Sequence, residues 1–464
     1  MRWAFAGVAA FACMFAQAHA QDLTPDRTAF RAIYEELVEI DTSPTNGNCT
    51  RAAEAMAVHL RNAGFAENDV HVIVPEGRPD DGNLVATLRG TSRQRAILLL
   101  AHIDVVDARR EDWERDPFTL VEENGFFYGR GTADDKAMAA VWVDLMVRMR
   151  RENARPRRTI RMALTCGEET SNRINGVDYI LQNRRELIAA DFAINEGAGG
   201  TLSENGTPVV FNVQAGEKIH QVYTLEVTNP GGHSSRPVPD NAIYRLSQGL
   251  ERLSQHAFPT EVTPVTRTFF ERMAPMVGGE QSLAMAALAR NPNDAAAAAT
   301  LSRDPSYNAM LRTTCVATQL EAGHAPNALP QRARATLSCR VMQGTTPEQV
   351  QEALRQVMAD PQIDVQIVRR REGSQAPQLT REIMGPIERH VERMWPGTPI
   401  VPTMTVGATD GRFLNTAGIP TYGVSGMFST PGETNAHGLN EKIRVQSLYE
   451  GRDFLEAIVR DYAR

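Results

Sequence analysis

The sequence predicts an α/β protein in which a mostly parallel sheet, flanked by helices, is interrupted by an inserted α+β domain. Up to about residue 216, short apolar runs typical of buried strands alternate with segments of helical periodicity. Such alternation is the pattern of a parallel sheet covered by helices on both faces. Beyond that point apolar and polar residues alternate one by one, as they do in an antiparallel sheet with one solvated face. The 464 residues are enough for at least two domains.

The larger domain is predicted to consist of residues 21–216 and 373–464. Helical periodicity predicts its first two helices over residues 26–41 and 51–63, and Gly64 follows the second as a favoured C-terminal residue. The other predicted helices lie at 137–151, 177–183, 383–394 and 445–462. The predicted strands lie at 70–74, 84–88, 96–101, 159–165, 191–195 and 418–424.

Residues 217–372 are predicted to form the inserted domain. In the strand predicted over 221–228, Tyr223, Leu225 and Val227 share one face, because residues two apart in a strand point the same way. The other elements predicted here are strands at 311–320, 333–342 and 364–368 and helices at 241–253 and 347–358. Together they make a sheet with two helices on one face.

The N-terminus has the features of a signal peptide over residues 1–20. Arg2 supplies a positive charge ahead of the apolar residues 4–16, and Ala18-His19-Ala20 fits the small-x-small cleavage rule. The apolar run is shorter than the roughly 20 residues of a membrane span. We therefore expect cleavage after Ala20, no membrane anchor, and export to the periplasm or out of the cell.

The charge balance gives no support to a nucleic-acid partner. The chain has 49 Lys and Arg residues against 56 Asp and Glu, a formal net charge of −7. It also lacks a basic patch with interleaved aromatic residues, which is the footprint of a nucleic-acid-binding surface. We expect no nucleic acid among the partners.

Histidine and acidic side chains follow several of the predicted strands or lie in turns beside them. They are His102, Asp104, Asp134, Glu168, Glu169, Glu196 and His437. Each has an ordinary explanation alone, as a strand-end residue, a helix cap or a loop residue. The carboxyl ends of parallel strands share one edge of a sheet, so these groups are expected to meet in one crevice. The neighbouring carboxylates of Glu168 and Glu169 would repel each other there unless a cation neutralised them.

A mixed set of histidine and carboxylate ligands predicts a metal centre. This donor chemistry fits zinc best, with cobalt or manganese as substitutes. Two metals roughly 3.5–4 Å apart suit a bridging carboxylate and hydrolysis by metal-activated water. A serine hydrolase would need a Gly-x-Ser-x-Gly elbow, which the run Gly423-Val424-Ser425-Gly426-Met427 does not supply.

In combination, these motifs resemble the M20 family of metallopeptidases. The family includes glutamate carboxypeptidases, aminoacylase-1, carnosinase-type dipeptidases and succinyl-diaminopimelate desuccinylase. The resemblance rests on His102-x-Asp104, Gly129-Arg130-Gly131-x-x-Asp134-x-Lys136, Glu168-Glu169, Glu196 and His437-Gly438-x-Asn440-Glu441. It implies a zinc-hydrolase α/β domain with an inserted lid domain of the dimerisation type.

The resemblance also implies a role for each of these positions. Five residues would hold two zinc ions: His102 and Glu196 the first, Glu169 and His437 the second, with Asp134 bridging both. Asp104 would orient His102. Glu168 would be the general base, which takes a proton from the attacking water and passes it to the leaving amine.

The resemblance extends to the inserted domain. His233, in a Gly-Gly-His-Ser-Ser run, matches a residue that stabilises the oxyanion, often from the partner subunit's lid. Asn327 and Arg340 fall where lid residues contact substrate, and Arg412 lies near the site. An arginine fork can bind both oxygens of a terminal carboxylate. Residues 258–310 are longer and more helical than in compact dimeric members, which leaves open whether His233 acts in cis or in trans.

The predicted function is that of an exported dizinc hydrolase acting on small peptides or N-acyl amino acids. The first interpretation is a carboxypeptidase or other exopeptidase, with homodimerisation through the lid. The alternative is an N-acyl amino acid amidohydrolase. A catalytically inactive binding protein on the same fold is disfavoured, because every ligand position and the base are filled.

The cysteines lead to two further predictions. Export permits disulfides, and Cys315 and Cys339 lie in two strand-like runs joined by the turn-rich residues 321–330. A hairpin there would set the two side chains opposite each other, which predicts a bond between them. Cys166 is predicted to be a buried thiol beside the active site. No cysteine spacing fits a zinc-binding CxxC pair.

Overall fold

The computed structural model describes residues 24–92, 96–170, 172–371, 373 and 376–464. The predicted signal peptide and its cleavage site lie outside these residues. Among the residues described, no helix combines the length and the apolar character needed to cross a bilayer.

All the predicted helices and strands are present in the predicted order, and further elements that were not predicted lie between them. The helices are α1 (Pro25–Glu39), α2 (Cys49–Asn62), α3 (Lys136–Arg151), α4 (Gly176–Asn183), α5 (Ala242–Gln255), α6 (Pro264–Met273), α7 (Gly279–Arg290), α8 (Ala295–Leu301), α9 (Pro305–Leu311), α10 (Pro347–Met358), α11 (Arg381–Met394), α12 (Gly411–Thr416) and α13 (Val445–Tyr462). The first strands are β1 (Val70–Ile73), β2 (Asn83–Leu88), β3 (Ile97–His102), β4 (Val121–Glu123), β5 (Phe126–Tyr128), β6 (Ile160–Thr165), β7 (Phe192–Asn195), β8 (Gly200–Leu202) and β9 (Pro208–Glu217). The later strands are β10 (Ile219–Thr228), β11 (Gly232–His233), β12 (Thr314–Ala322), β13 (Ala328–Leu329), β14 (Arg332–Val341), β15 (Asp364–Arg369), β16 (Ile400–Thr405), β17 (Thr421–Gly423), β18 (Phe428–Ser429) and β19 (Lys442–Arg444).

The larger sheet has a parallel centre. In the described part of the chain its strand order is β1-β2-β6-β3-β7-β17-β9-β8-β18, with β16 paired to β9. Strand β3 pairs in parallel with both β6 and β7, and β7 pairs in parallel with β17. Strands β1 and β2 extend one edge with antiparallel pairs. The predicted mostly parallel sheet flanked by helices is confirmed.

The central strand β3 shows why its sequence is an unbroken apolar run. Ile97 and Leu99 pack into the core formed with α1, α2, α3 and α13. Leu98 and Leu100 point to the opposite face, into a second core that includes α4 and α12. Burial of each such side chain contributes about 1.5–3 kcal/mol to folding. Helices on both faces leave no solvated side, so the polar alternation of a half-exposed strand is absent.

The inserted domain is built on a four-stranded antiparallel sheet in the order β12-β14-β10-β15. Tyr223, Leu225 and Val227 of β10 are fully buried in a core shared with α5 and α10, as the alternation predicts. The even-numbered residues of β10 therefore lie on the face that these two helices do not cover. A separate two-stranded ribbon pairs β11 with β13.

Helices α6 to α9 link the inserted domain to the larger one. Helix α6 packs on β16 of the larger sheet. Val265 of α6 and Met310 of α9 join the main core, while α6, α7 and α8 also share a core of their own. Part of the predicted range 217–372 thus packs on the larger sheet, and the domain limits stay a prediction.

The described residues form two disulfides. Cys315 and Cys339 are paired residues of β12 and β14 and are bonded, which confirms the predicted bridge. The prediction of a free thiol at Cys166 is wrong, because Cys166 is bonded to Cys49. Cys166 directly follows β6 and Cys49 begins α2, and their Cα atoms are 6.1 Å apart. This bond ties the turn that carries Glu168 to the first helical layer.

Removing the Cys49–Cys166 bond should destabilise the protein more than removing Cys315–Cys339. The two bonds close loops of 117 and 24 residues. In the chain-entropy model these loops correspond to about 5 and about 3.5 kcal/mol of unfolding free energy. Urea unfolding of the C49A/C166A and C315A/C339A double variants measures both losses. A larger loss for the hairpin pair would contradict the expectation.

Candidate metal centre

Three neighbouring strands deliver polar side chains to one edge of the larger sheet. The order β6-β3-β7 places these strands side by side and parallel. His102 is the last residue of β3, Glu168 and Glu169 lie in the turn after β6, and Glu196 directly follows β7. The crevice outside the carboxyl ends of the strands is where open α/β sheets bind ligands.

Three of these side chains, His102, Glu169 and Glu196, form two clusters with Asp134 and His437, and Asp134 belongs to both clusters. In the first cluster, His102 Nε2 lies 3.0 Å from Asp134 Oδ1 and 3.8 Å from Glu196 Oε2. In the second, His437 Nε2 lies 3.2 Å from Asp134 Oδ2 and 2.9 Å from the Glu169 carboxylate. The candidate ligand atoms of each cluster lie within 4.8 Å of one another. Asp134 directs one oxygen toward each histidine, as a bridging carboxylate must.

Glu441 holds the two loops of the centre together. Its carboxylate is buried and pairs with the Arg130 guanidinium at 2.7 Å. It also accepts hydrogen bonds from three backbone N–H groups of the turn before α3, at Gly131, Ala133 and Asp134. Since Glu441 follows His437 by four residues, the late His-Gly motif and the Gly-Arg-Gly turn are fixed to each other.

The carboxylate of Asp104 has partners besides the expected His102 ring. His102 Nδ1 lies 3.0 Å from the backbone oxygen of Asp104 and 3.7 Å from its carboxylate. The carboxylate also accepts hydrogen bonds from the backbone N–H groups of Glu168 and Glu169, at 3.2 and 3.1 Å. Asp104 therefore contacts His102 through its backbone oxygen and lies at ion-pair distance from it, and its carboxylate also holds the acidic doublet.

The electrostatics of the clusters fit a bound cation. Burial raises the pKa of the Glu196 carboxyl to about 8, and the nearby Asp134 carboxylate adds to the rise. Burial also works to raise the pKa of Asp134, but hydrogen bonds from His102 and His437 hold it well below the usual range. One carboxylate oxygen of Asp135 is buried with no hydrogen-bond partner. Two histidines and three carboxylates are a donor set that zinc accepts.

Glu168 is set apart from the ligand clusters. It belongs to neither of them, and it lines a cavity of about 920 Å³ together with Glu169. Burial, reinforced by the charge of Glu196, raises the pKa of its carboxyl well above the ordinary value. A carboxyl group that binds a proton readily next to a metal centre can act as a general base and then as an acid.

The four predicted substrate-contacting residues divide into two groups. Arg340 and Arg412 line the cavity beside Glu168. His233 lies in β11 and Asn327 directly precedes β13; both side chains are exposed, and the backbone N–H of Ser234 donates to the Asn327 carbonyl. Neither is among the described residues that line the cavity. The His233 ring accepts a hydrogen bond from the backbone N–H of Ser235 instead.

Further residues of this cavity were not singled out from the sequence. His220, Arg369 and Arg371 also line it. His220 and Arg340 are directly paired across β10 and β14. The alternation of apolar and polar residues in β10 could have identified His220, because it places this residue on the face of the sheet that the helices do not cover. No sequence pattern marked Arg371, which follows the end of β15.

A parallel-centred sheet with two histidine–carboxylate clusters at its strand ends, and an inserted lid domain beside them, defines a metal-dependent hydrolase. The comparison of sequences is more specific. The chain belongs to Peptidase family M20/M25/M40, whose family model matches residues 98–461.

Individual proteins agree with this assignment. The N-fatty-acyl-amino acid synthase/hydrolase PM20D1 of Mus musculus is 28% identical over 379 residues, which cover 78% of this chain and 73% of that protein. The probable carboxypeptidase S-like 2 of Dictyostelium discoideum is 26% identical over 382 residues, which cover 79% of this chain and 72% of that protein. The M20 family metallo-carboxypeptidase Sso-CP2 from Sulfolobus solfataricus has a TM-score of 0.69 at 18% identity, covering 95% of this chain and 100% of that one. The structural likeness supports the fold.

Proposed function

We propose that this protein is an exported dizinc hydrolase that cleaves the amide bond next to an amino acid with a free carboxylate. The position of Glu168 carries the proposal. Its carboxyl group lies beside the metal ligand Glu169 and lines the same cavity as Arg340 and Arg412. A scissile amide next to Glu168 would therefore have its carboxylate within reach of arginine side chains.

Two kinds of substrate contain such a bond. A carboxypeptidase removes the last residue of a peptide, and an aminoacylase removes the acyl group of an N-acyl amino acid. Carboxypeptidase activity remains the leading interpretation. The likeness to a protein named N-fatty-acyl-amino acid synthase/hydrolase favours the aminoacylase, because hydrolysis of an N-acyl amino acid also releases an amino acid.

The side chains would divide the chemistry as follows. His102 and Glu196 would hold one zinc ion, and Glu169 and His437 would hold the other. Asp134 would bind both ions. When bound, the metals would supply Lewis-acid activation of water and of the amide carbonyl. Glu168 would take a proton from the attacking water and deliver it to the leaving nitrogen. Asp104 supports this role by holding the backbone N–H groups of residues 168 and 169.

The substrate carboxylate would be bound by arginine side chains. The Arg340 and Arg412 side chains are half-buried in the cavity wall, and the described residues supply no carboxylate within ion-pair distance of either. The fork of a guanidinium matches both oxygens of a carboxylate. Removal of that charge from the substrate should therefore weaken binding.

Homodimerisation through the lid is part of the proposal. His233 and Asn327 are exposed and would complete a site from the partner subunit's lid. Strand β12 is an edge strand with Val316 and Leu320 exposed at 59% and 61%. Unpaired edge strands are templates for pairing with another chain. Light scattering of the purified protein at several concentrations tests for the dimer.

Export rests on the sequence of residues 1–20. A charged start, an apolar stretch and a small-x-small site together favour cleavage after Ala20. The two disulfides support the proposal, since such bonds persist in oxidising compartments. Mass spectrometry of the N-terminus of the protein recovered from a secreting host tests it.

The function is tested with the zinc-loaded protein beginning at Gln21. Its substrates would be N-acetyl amino acids, dipeptides and longer peptides, each with a free and an amidated C-terminal carboxylate. We expect cleavage next to the terminal amino acid, at a rate at least about tenfold lower for the amides, because one bidentate arginine contact is lost. Equal rates for acids and amides would overturn the proposal. Absence of any cleavage would favour an inactive binding protein.

A further inference from the structure

The cavity beside Glu168 contains more positive charge than one carboxylate requires. Its wall carries the guanidinium groups of Arg340, Arg371 and Arg412, which are all half-buried. Within the described residues, no carboxylate lies within ion-pair distance of these three groups. The Nε atom of Arg412 is buried without a hydrogen-bond partner, and its guanidinium carbon lies 4.5 Å from the centre of the Phe413 ring.

The three guanidinium groups are close enough to repel one another. Burial lowers the pKa of Arg371 to about 10, with the charges of Arg412, Arg369 and Arg340 adding to the effect. Burial and the charges of Arg340, Arg371 and Arg412 lower the pKa of the His220 ring to about 4, so this ring is neutral at physiological pH. Like charges gathered without counter-ions destabilise a protein, so such an arrangement is typical of an anion-binding site.

The position of Arg371 is fixed by the inserted domain. Gln221 of β10 is fully buried, and its side-chain oxygen accepts a hydrogen bond from the backbone N–H of Arg371 at 3.0 Å. The side-chain amide of Gln221 donates to the Arg369 carbonyl at 2.6 Å. The end of β15 is thus fastened to the sheet, and Arg371 lies where the chain returns to the larger domain. Because the backbone of Arg371 is held in place, its side chain has fewer positions to sample, which lowers the cost of ordering it on an anion.

Counting charges indicates a ligand with two acidic groups. One carboxylate would balance one of the three guanidinium charges and leave two unbalanced. Internal acids offset part of this charge: Glu168 interacts with Arg371, the buried Glu217 and Asp410 interact with Arg412, and Glu169 and Asp178 also line the cavity without forming an ion pair with any of the three arginines. The cavity of about 920 Å³ is also large for the α-carboxylate alone.

We propose that Arg371 provides a second anion subsite, which makes the enzyme prefer a leaving amino acid with an acidic side chain, glutamate or aspartate. This inference rests on the proposed function, in which Arg340 and Arg412 bind the α-carboxylate. Arg371 is then a specificity-determining residue that contacts the side-chain carboxylate. His220 lies beside it as a neutral hydrogen-bonding group, with Nε2 3.0 Å from Ser338 Oγ.

The test compares substrates that differ in charge but not in shape. N-acetyl-glutamate and N-acetyl-glutamine are such a pair, and Ala-Glu and Ala-Gln are the dipeptide equivalents. We expect kcat/KM to be at least about tenfold higher for the acidic member of each pair, since a hydrogen bond to a charged group is among the stronger ones. Equal values for both members, or a preference for glutamine, would overturn the proposal without affecting the proposed function.

Arg371→Met should remove this preference selectively. We expect kcat/KM for the glutamate substrates to fall about 30-fold and that for the glutamine substrates to stay within about twofold. Arg369→Met is the matched control, because Arg369 lines the same cavity but is exposed. It should leave the preference intact. An equal loss on both substrates in the Arg371 variant would assign Arg371 a structural role instead.

Product binding separates this inference from the proposed function. Titration calorimetry of the wild-type protein with L-glutamate and L-glutamine requires no turnover. We expect tighter binding of L-glutamate, with the difference lost in Arg371→Met and retained in Arg369→Met. If no panel substrate is cleaved, the proposed function fails, yet this difference still supports the anion subsite. Equal binding of the two amino acids would refute the subsite in either case.

Discussion

Replacing Glu168 with glutamine should abolish turnover and leave the metal content of the protein unchanged. The glutamine amide matches the carboxylate in size but cannot take up a proton. Glu168 belongs to neither ligand cluster, so its loss removes no metal ligand. General acid–base catalysis contributes about 10²–10⁴-fold to a rate, and kcat should fall by at least that factor. Steady-state kinetics and elemental analysis of the same sample measure both quantities.

The adjacent residue provides the matched control for this variant. Glu169→Gln makes the same chemical change at the next residue. The carboxylate that it removes lies 2.9 Å from His437 Nε2 in the second cluster. We expect this variant to lose metal as well as activity. Near-normal turnover in Glu168→Gln would refute the role of general base. Loss of metal in both variants would show instead that Glu168 is a ligand.

The strand-end residues illustrate what the sequence could predict. The apolar runs before His102, Glu168 and Glu196 identified buried strands, and parallel strands bring their carboxyl ends to one edge by geometry alone. A short list of side chains on three neighbouring strands therefore predicts a cluster without any knowledge of distances. The same reasoning found the Cys315–Cys339 bond, since two residues opposite each other in a hairpin depend only on the local register.

Features that depend on distant contacts could not be found in this way. Cys49 and Cys166 are 117 residues apart, and only the tertiary fold brings the start of α2 next to the residue that follows β6. The carboxylate of Asp104 turned out to bind the backbone of the acidic doublet, a choice that depends on the shape of a turn. Arg371 follows the end of a strand with no pattern to mark it. Each of these residues acquires its role from tertiary structure.

Strand β16 shows a different limit. Its residues Ile400–Thr405 pair in parallel with β9, yet Pro402 lies within the strand. Proline lacks a backbone N–H, so it normally argues against a strand away from an edge. Among the described strands, β16 pairs only with β9. Its other side has no neighbouring strand in the described part of the chain, so a backbone N–H donor is not needed on that side. The exception follows from the place of the strand in the sheet.

Replacing Asp134 with alanine should lower the zinc content below two ions per chain. Its two carboxylate oxygens lie 3.0 and 3.2 Å from the Nε2 atoms of His102 and His437, which belong to different clusters. No other described residue belongs to both clusters. Loss of even an outer hydrogen-bond partner weakens metal binding about 10–100-fold, so removal of a shared ligand should weaken it further. Turnover should fall with the metal.

The neighbouring residue decides whether Asp134 is the bridge. Asp135→Asn keeps the size of the side chain and changes the other member of the acidic pair, which lies in neither cluster. Elemental analysis after dialysis against a fixed free zinc concentration should give two zinc ions per chain for Asp135→Asn and fewer for Asp134→Ala. The opposite result would transfer the bridging role to Asp135, whose buried, unpartnered oxygen would then be explained by a metal bond. An unchanged metal content in both variants would mean that neither carboxylate bridges the two clusters.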